Sequence, residues 1–229
     1  MARLTWHGHA CFQLEDGKAK VLIDPWFEGN PSARQSWKDV GPVDMVLVTH
    51  DHGDHIGQAL EICTATGAML GAQVELAGAM KAKGLPQSRI LNGIGFNVGG
   101  TVAHVGFKAT MVPAFHSSAA GTPVGFIIKT PSGLHVYHAG DTCIFSSMEI
   151  WGRLYPLDVA LLPMGGVFTM DPRQAAMACG LLKCRKVVPM HWGTFPCLEQ
   201  DAESFGGYLR EFARNTEHLD LKAGQGVEL

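Results

Sequence analysis

Short apolar runs separated by turn residues recur along the chain, a pattern typical of β-strands rather than of long helices. Two runs near the carboxyl end, 158–162 and 186–190, are almost wholly apolar, as expected of strands covered on both faces. The other predicted strands cover residues 3–6, 10–14, 20–23, 45–49, 101–105, 108–112, 124–130 and 134–138.

Helical periodicity lies between and after these strands, at residues 56–65, 73–83, 172–182 and 201–215. The third helix has a well-formed start, because Asp171 can cap its first turn and Pro172 needs no N–H partner there. Helices therefore flank the sheets, and the predicted fold class is α/β (α+β). No low-complexity linker divides the chain, so we predict a single domain over residues 1–229.

The composition narrows the class of protein. The 229 residues are 46% hydrophobic and 17% charged, which allows a substantial core. The apolar runs are far shorter than the ~20 residues of a membrane-spanning helix, and the first residues lack a secretory signal, which favours a cytoplasmic protein. A net charge of −3 without basic runs disfavours nucleic acid. We expect a small-molecule substrate and no membrane, with a homo-oligomer left open.

The most informative segment is His-Asp-His-Gly-Asp-His at residues 50–55, directly after a predicted strand. Imidazole nitrogens and carboxylate oxygens are standard ligands of zinc and related ions. In an extended loop His50 and His52 point to the same side and can hold one ion. Asp51 is expected to face away, so the segment predicts a metal site built from its other members.

Gly53 should let the backbone turn sharply, which brings Asp54 and His55 towards a second ion. Further ligands should also lie where strands end. Three residues meet that condition, and strand ends that converge on one sheet edge would place them near the loop: His116, Asp141 and His191.

The order and spacing of these residues resemble the metallo-β-lactamase superfamily from one end of the chain to the other. The resemblance implies a four-layer αββα sandwich with two metal ions at one edge of the paired sheets. It assigns His50, His52 and His116 to the first ion, Asp54, His55 and His191 to the second, and Asp141 to a bridge between them.

A narrower likeness lies in residues 6–10 (Trp-His-Gly-His-Ala), 163–170 and 188–196. These stretches resemble a branch of metal-dependent hydrolases that is similar to the ascorbate-6-phosphate lactonases. The chemistry expected is hydrolysis of a small lactone, ester or phosphoester, with lactone or carboxylic ester first. Zinc is the first choice of ion, and the same ligands accept manganese, iron, cobalt or nickel.

Two cations sharing a carboxylate would lower the pKa of a bridging water, so that hydroxide becomes the nucleophile. Asp54 or Asp141 could then shuttle the proton, and His9 could contact the metal ligands or the substrate. These three are therefore the candidate catalytic residues. The alternative for His9 is an ordinary histidine at a strand end, and no serine or cysteine triad is visible.

Several other residues have open roles. Asp24 either orients a metal-bound imidazole or belongs to an Asp-Pro turn. His138, rather than His135, is expected to point into the sheet interior. Trp192, Thr194 and Phe195 follow the last ligand and could line the substrate pocket, whereas three other tryptophans could be core or rim aromatics: Trp26, Trp37 and Trp151.

Three rival functions remain. A nuclease or other phosphodiesterase of the same superfamily is disfavoured by the lack of basic surface. A di-iron redox protein is disfavoured because those relatives usually carry glutamate at the position of His52 and an added flavin domain. A metal-stabilised protein that binds a ligand without turnover is disfavoured by the complete set of ligands.

Overall fold

The computed structural model describes residues 1–229 and has two β-sheets packed face to face, with helices on both outer faces. The helices are α1 (Gly53–Ile56), α2 (Ala59–Thr66), α3 (Val74–Ala82), α4 (Met148–Leu154), α5 (Pro172–Leu182) and α6 (Glu203–Phe212). The strands are β1 (Ala2–Gly8), β2 (Cys11–Asp16), β3 (Ala19–Ile23), β4 (Met45–Leu47), β5 (Met69–Gly71), β6 (Thr101–His104), β7 (Phe107–Pro113), β8 (Val124–Lys129), β9 (His135–His138), β10 (Val159–Pro163), β11 (Lys186–Met190), β12 (Glu217–His218) and β13 (Gly226–Glu228).

The first sheet has the strand order β13-β1-β2-β3-β4-β5, and the second has the order β12-β11-β10-β9-β8-β7-β6. Both sheets are mixed: β3, β4 and β5 pair in parallel in the first, and β9 to β12 pair in parallel in the second. Parallel neighbours send their carboxyl ends to the same edge, which is where the candidate ligands lie. The predicted four-layer αββα sandwich is confirmed.

Three apolar cores hold these layers together, and strand alternation assigns each side chain to its core. In β3, Val21 and Ile23 point into the core between the sheets, whereas Leu22 packs against α2 and α3. In β10, Leu161 faces the first sheet and Leu162 faces α5. Both strands are therefore buried on both faces, which explains their apolar sequences.

The longer elements were predicted from the sequence, whereas five short ones were not. The ten predicted strands and the helices near α2, α3, α5 and α6 are present, with ends shifted by a few residues. The predicted helix 56–65 corresponds to α2, which begins three residues later at Ala59, and β4 ends at Leu47 rather than at residue 49. Five elements were not predicted from the sequence: α1, α4, β5, β12 and β13.

The start of α5 has the predicted geometry, in which the Asp171 carboxylate accepts a hydrogen bond from the Gln174 backbone N–H at 2.7 Å. Pro172 occupies the first helical position. None of the six helices combines the length and the apolar character that a bilayer span requires.

Candidate metal centre

The candidate ligands come together at one edge of the sandwich, each placed just beyond a strand. His50, His52, Asp54 and His55 follow β4 in the first sheet. In the second sheet His116 follows β7, Asp141 follows β9 and His191 follows β11. Both sheets therefore contribute to one cluster, because their strand ends meet at the same edge.

Three histidines form the first group of donors. The Nε2 atom of His50 lies 2.9 Å from Nδ1 of His52, which lies 3.2 Å from Nε2 of His116. One nitrogen from each ring falls within 4.8 Å of the other two. Since zinc–nitrogen bonds are ~2.0–2.1 Å, donors this close are within reach of a common ion.

Asp54, His55 and His191 form the second group, and His9 joins them with its own donor within the same 4.8 Å. The Nε2 atom of His9 lies 3.1 Å from Oδ2 of Asp54, and Nδ1 lies 2.7 Å from the Thr194 hydroxyl. The sequence predicts a contact of His9 with ligands or substrate, and in the structure His9 contacts Asp54.

Asp141 lies between the two groups. Its carboxylate oxygens are 3.2 Å from Nε2 of His55, 3.0 Å from Nε2 of His191 and 3.5 Å from Nε2 of His116. A third possible ion-binding group joins it to His50 and His55. This position suits a carboxylate shared by two sites.

The donor set fits divalent metal ions. Nε2 of His55 and Oδ1 of Asp141 are both buried and have no hydrogen-bond partner, although they lie close to each other. Buried polar atoms normally find a partner because leaving them unpaired costs free energy. An ion held by these nitrogens and oxygens would satisfy both atoms, and the mixed nitrogen and oxygen chemistry is that of zinc and its neighbours.

Asp24 is a buried carboxylate that contacts the candidate ligand His55. Its Oδ2 atom lies 2.7 Å from Nδ1 of His55 and accepts a hydrogen bond from the Thr49 hydroxyl at 2.7 Å, while Oδ1 accepts from the Thr49 backbone N–H at 2.8 Å. The carboxylate orients His55 so that Nε2 is left for the cluster. Of the two roles left open by the sequence, the structure supports the orienting one.

The backbone at the site is held in an uncommon conformation. His9, Asp24 and His191 have φ values of 54°, 47° and 61°, in the left-handed region that non-glycine residues rarely adopt. Such residues cluster at functional sites, where the surrounding structure keeps them in place. Gly165 allows one close approach, since a Cβ atom there would overlap the carbonyl oxygen of His191.

Two expectations about the loop 50–55 have different outcomes. Asp51 does face away, with its carboxylate accepting hydrogen bonds from the Ser118 hydroxyl and from the backbone of Ala119 and Ala120. The expected sharp turn at Gly53 is wrong: Gly53 is the first residue of α1 and does not have a positive φ. The first turn of this helix, rather than a glycine bend, carries Asp54 and His55 towards the cluster.

Hydrogen bonds join the two sheets at this edge. The backbone N–H of His191 donates to the His9 carbonyl at 3.2 Å, and that of Val124 donates to the Thr49 carbonyl at 3.1 Å. Nε2 of His138 lies 2.9 Å from the Ala10 carbonyl. His138 is fully buried, as expected, and its role is to connect the sheets.

A cavity of about 880 Å³ opens over the cluster. Of the three residues expected to line it, Phe195 does so, whereas Thr194 is bonded to His9. The prediction for Trp192 is wrong: its ring packs on Trp6 at 5.5 Å between centroids, and its indole N–H donates to the Pro189 carbonyl. The full lining is Trp26, His52, Gly53, Asp54, His116, Ser117, Asp141, Phe168, His191, Phe195, Pro196 and Cys197.

Burial and close charges shift the protonation of the cluster. Burial lowers the pKa of His9 to about 4 and that of His50 to about 3. Burial alone would also lower the pKa of His55, but Asp141 and Asp24 raise it well above its usual value. In the same way, His55 and His191 overcome burial and hold the pKa of Asp141 well below its usual range. The metal-free cluster is therefore a charged network containing neutral His9 and His50.

We expect metal-free protein to lose stability as the pH falls from about 6.5, the usual histidine pKa, towards 4. His9 and His50 stay neutral in the fold in this range but become protonated in the unfolded chain, so each lowers the unfolding free energy by up to about 1.4 kcal/mol per pH unit. The contribution of His55 to stability stays constant in this range, because it is fully present at any pH below the pKa of histidine in the unfolded chain. The contribution of Asp141 also stays constant, because it is fully present at any pH above the pKa of aspartate in the unfolded chain.

Urea unfolding of chelator-treated protein at several pH values measures this effect. The variant His9→Gln should reduce the slope, since it removes one of the buried histidines that take up a proton on unfolding. An unfolding free energy that stays flat between pH 6.5 and 4.5 would contradict the predicted burial of neutral imidazoles.

Comparison with known proteins identifies the family to which the chain belongs. Residues 19–192 match the family described as the beta-lactamase superfamily domain. The chain is 56% identical over 227 residues to a UPF0173 metal-dependent hydrolase of Nitratidesulfovibrio vulgaris, covering 99% of this chain and 95% of that protein. It is 46% identical over 226 residues to another from Lawsonia intracellularis, covering 99% and 98%.

Among solved structures, a metallo hydrolase from the archaeon Ignicoccus hospitalis is similar over 99% of this chain and 97% of its own. The TM-score is 0.89 and the sequence identity is 38%. The matched fold and the ligand-bearing strand ends agree with these similarities. The chain therefore belongs to the metallo-β-lactamase superfamily, as one of its UPF0173 metal-dependent hydrolases.

Proposed function

We propose that the protein hydrolyses a small lactone or carboxylic ester with a binuclear metal centre, and that zinc is the native ion. The observation that carries this proposal is the position of Asp141 between two groups of donors. In the proposed assignment His50, His52 and His116 hold one ion. Asp54, His55 and His191 hold the other, and Asp141 is shared.

When bound, such ions supply Lewis acidity and make hydroxide available near neutral pH. The residues of the chain divide the remaining work. Asp141 has a side chain that is only 3% exposed, whereas the side chain of Asp54 is 21% exposed and lines the cavity. Asp54 is therefore the better placed of the two to pass a proton between the substrate and solvent.

His9 is a positioning residue in this proposal. Its Nε2 atom contacts the Asp54 carboxylate, and the Thr194 hydroxyl contacts the other ring nitrogen. The chain Thr194–His9–Asp54 fixes the direction of the carboxylate that faces the cavity. This arrangement supports a role of His9 in orienting the proton carrier, in place of direct contact with the substrate.

Metal removal tests the proposal. Protein treated with a chelator should lose hydrolysis, and reloading with zinc, manganese, iron, cobalt or nickel should restore it with at least one ion. Elemental analysis before and after treatment measures the ion content, with two ions per chain expected. A screen of lactones, carboxylic esters, thioesters and phosphodiesters identifies the bond. Reloaded protein that is inactive on all four classes would contradict the proposal.

A further inference from the structure

The cavity over the cluster has an uneven chemical lining. Its volume of about 880 Å³ lies within the range of ~300–1,000 Å³ that is usual for small-molecule sites. Charged and polar groups lie among the candidate ligands, while the remaining wall includes three aromatic rings. No lysine or arginine lines it.

Two of the rings form a stacked pair beside the cluster. Trp26 and Phe195 lie 5.8 Å apart between centroids with an angle of 17° between their planes. The ring of His9 meets the two rings edge-on, at 5.1 Å from Trp26 and 5.6 Å from Phe195. This wall is therefore continuous with the Thr194–His9–Asp54 chain and held by it.

The third ring is exposed. Phe168 lies in the loop between β10 and α5, lines the cavity and is 55% exposed to solvent. Val167 beside it is 69% exposed. An exposed aromatic ring that lines a cavity beside the candidate ligands is available to contact a ligand bound there.

We propose that the substrate carries an uncharged, planar apolar group that is bound by Trp26, Phe168 and Phe195 while its ester or lactone carbonyl lies at the metal cluster. This inference rests on the proposed function and specifies its substrate class. A planar ring would gain stacking and edge contacts with these side chains in addition to burial of apolar surface.

The same lining excludes a phosphorylated recognition group. Protein sites that hold phosphate use arginine or lysine, or backbone N–H groups at a helix start, to replace its hydration. The two ions would neutralise charge only at the reacting end, whose carboxylates are Asp54 and Asp141. A phosphate at the far end of a substrate would lose water without gaining a cationic partner, so it should bind poorly.

Binding of two matched ketones to the zinc-loaded protein tests the inference separately from turnover. The probes are 5-phenylpentan-2-one and a phosphorylated counterpart that carries a non-hydrolysable phosphonate on the para position of the ring; neither contains an ester bond. Isothermal titration calorimetry should show binding of the neutral ketone and at least tenfold weaker binding of the phosphorylated one. Equal or tighter binding of the phosphorylated ketone would overturn the inference.

Variants of Phe168 test whether this cavity wall binds the apolar group of the probe. Phe168→Ala should weaken binding of the neutral ketone about tenfold, whereas Leu154→Ala, which removes a similarly exposed apolar side chain (62%) from α4 outside the cavity, should not change it. Phe168→Arg should improve binding of the phosphorylated ketone by supplying the missing cation. Unchanged affinity of the neutral ketone for Phe168→Ala would overturn the inference.

The same data separate this inference from the proposed function. Ketone binding that depends on Phe168, in protein that hydrolyses no ester or lactone, would support the binding wall and contradict the proposed hydrolysis. Hydrolysis of esters at rates that do not depend on an apolar ring, with no ketone binding, would contradict the wall alone.

Discussion

Replacing Asp141 with alanine is expected to remove bound metal and activity together. The carboxylate lies within 3.5 Å of Nε2 of His55, His116 and His191, so its loss would leave three imidazoles without their shared anion. Removing one electrostatic group from an active site commonly costs ~10²–10³ in kcat, and loss of the shared ligand should reach at least the upper end. Elemental analysis and kcat on the best ester or lactone measure the two effects.

Asp171→Ala is a matched control for this variant. It also removes one carboxylate, but one that caps α5 through the Gln174 N–H. We expect it to lower the unfolding free energy by about 1 kcal/mol and to leave metal content unchanged. If Asp141→Ala protein keeps two tightly bound ions per chain, Asp141 does not bridge them.

Replacing Asp24 with alanine is expected to cost both stability and metal affinity. The carboxylate is fully buried, and its removal leaves Nδ1 of His55 and two Thr49 donors without their acceptor. Breaking a buried charged pair on one side typically costs about 3–5 kcal/mol. Loss of a partner that orients a ligand typically weakens metal binding about 10–100-fold.

Urea unfolding and competition with a metal-sensitive dye measure the two losses for Asp24→Ala. Asp44→Ala provides a comparison, because Asp44 accepts a hydrogen bond from the Lys20 backbone N–H in the same sheet and belongs to none of the possible ion-binding groups. It should lower stability without a change in metal affinity. Metal affinity equal to that of the unchanged protein in Asp24→Ala would show that His55 needs no such support.

The candidate ligands could be predicted because each is a chemically distinctive residue in the segment that follows an apolar strand. His116, Asp141 and His191 are far apart in the sequence, yet the parallel strands before Asp141 and His191 must end at the same edge. Strand-end position was therefore enough to bring them together. The sequence pattern does not determine the distances between individual atoms.

The cavity wall could not be predicted in the same way. Trp26 and Phe168 come from distant segments, and neither has a pattern that separates a cavity ring from a core ring. Trp192 was assigned to the wall because it follows His191. The backbone at His191 is left-handed, with φ of 61°, and the Trp192 indole that follows it packs on Trp6 and does not line the cavity.

The missed elements share a physical cause. β5 and β12 contain three and two residues, too few for any periodicity, and they exist because β4 and β11 offer them a free edge to pair with. The seven residues of α4 span only about two turns, so their apolar spacing carries little signal. Such short elements form because of their contacts with the rest of the fold, and a local sequence pattern carries no information about those contacts.

The hydrogen bonds His191–His9 and Val124–Thr49 cross from one sheet to the other beside the cluster. Under the proposed assignment, the ligands of each ion also come from both sheets. Separation of the two sheets at this edge would therefore remove the stabilisation from both ions at once. This stabilisation is about 4 kcal/mol for each ion present at a thousand times its Kd. The two halves of the chain would then unfold as one cooperative unit when loaded, and amide hydrogens in both sheets would exchange at rates set by the free metal concentration.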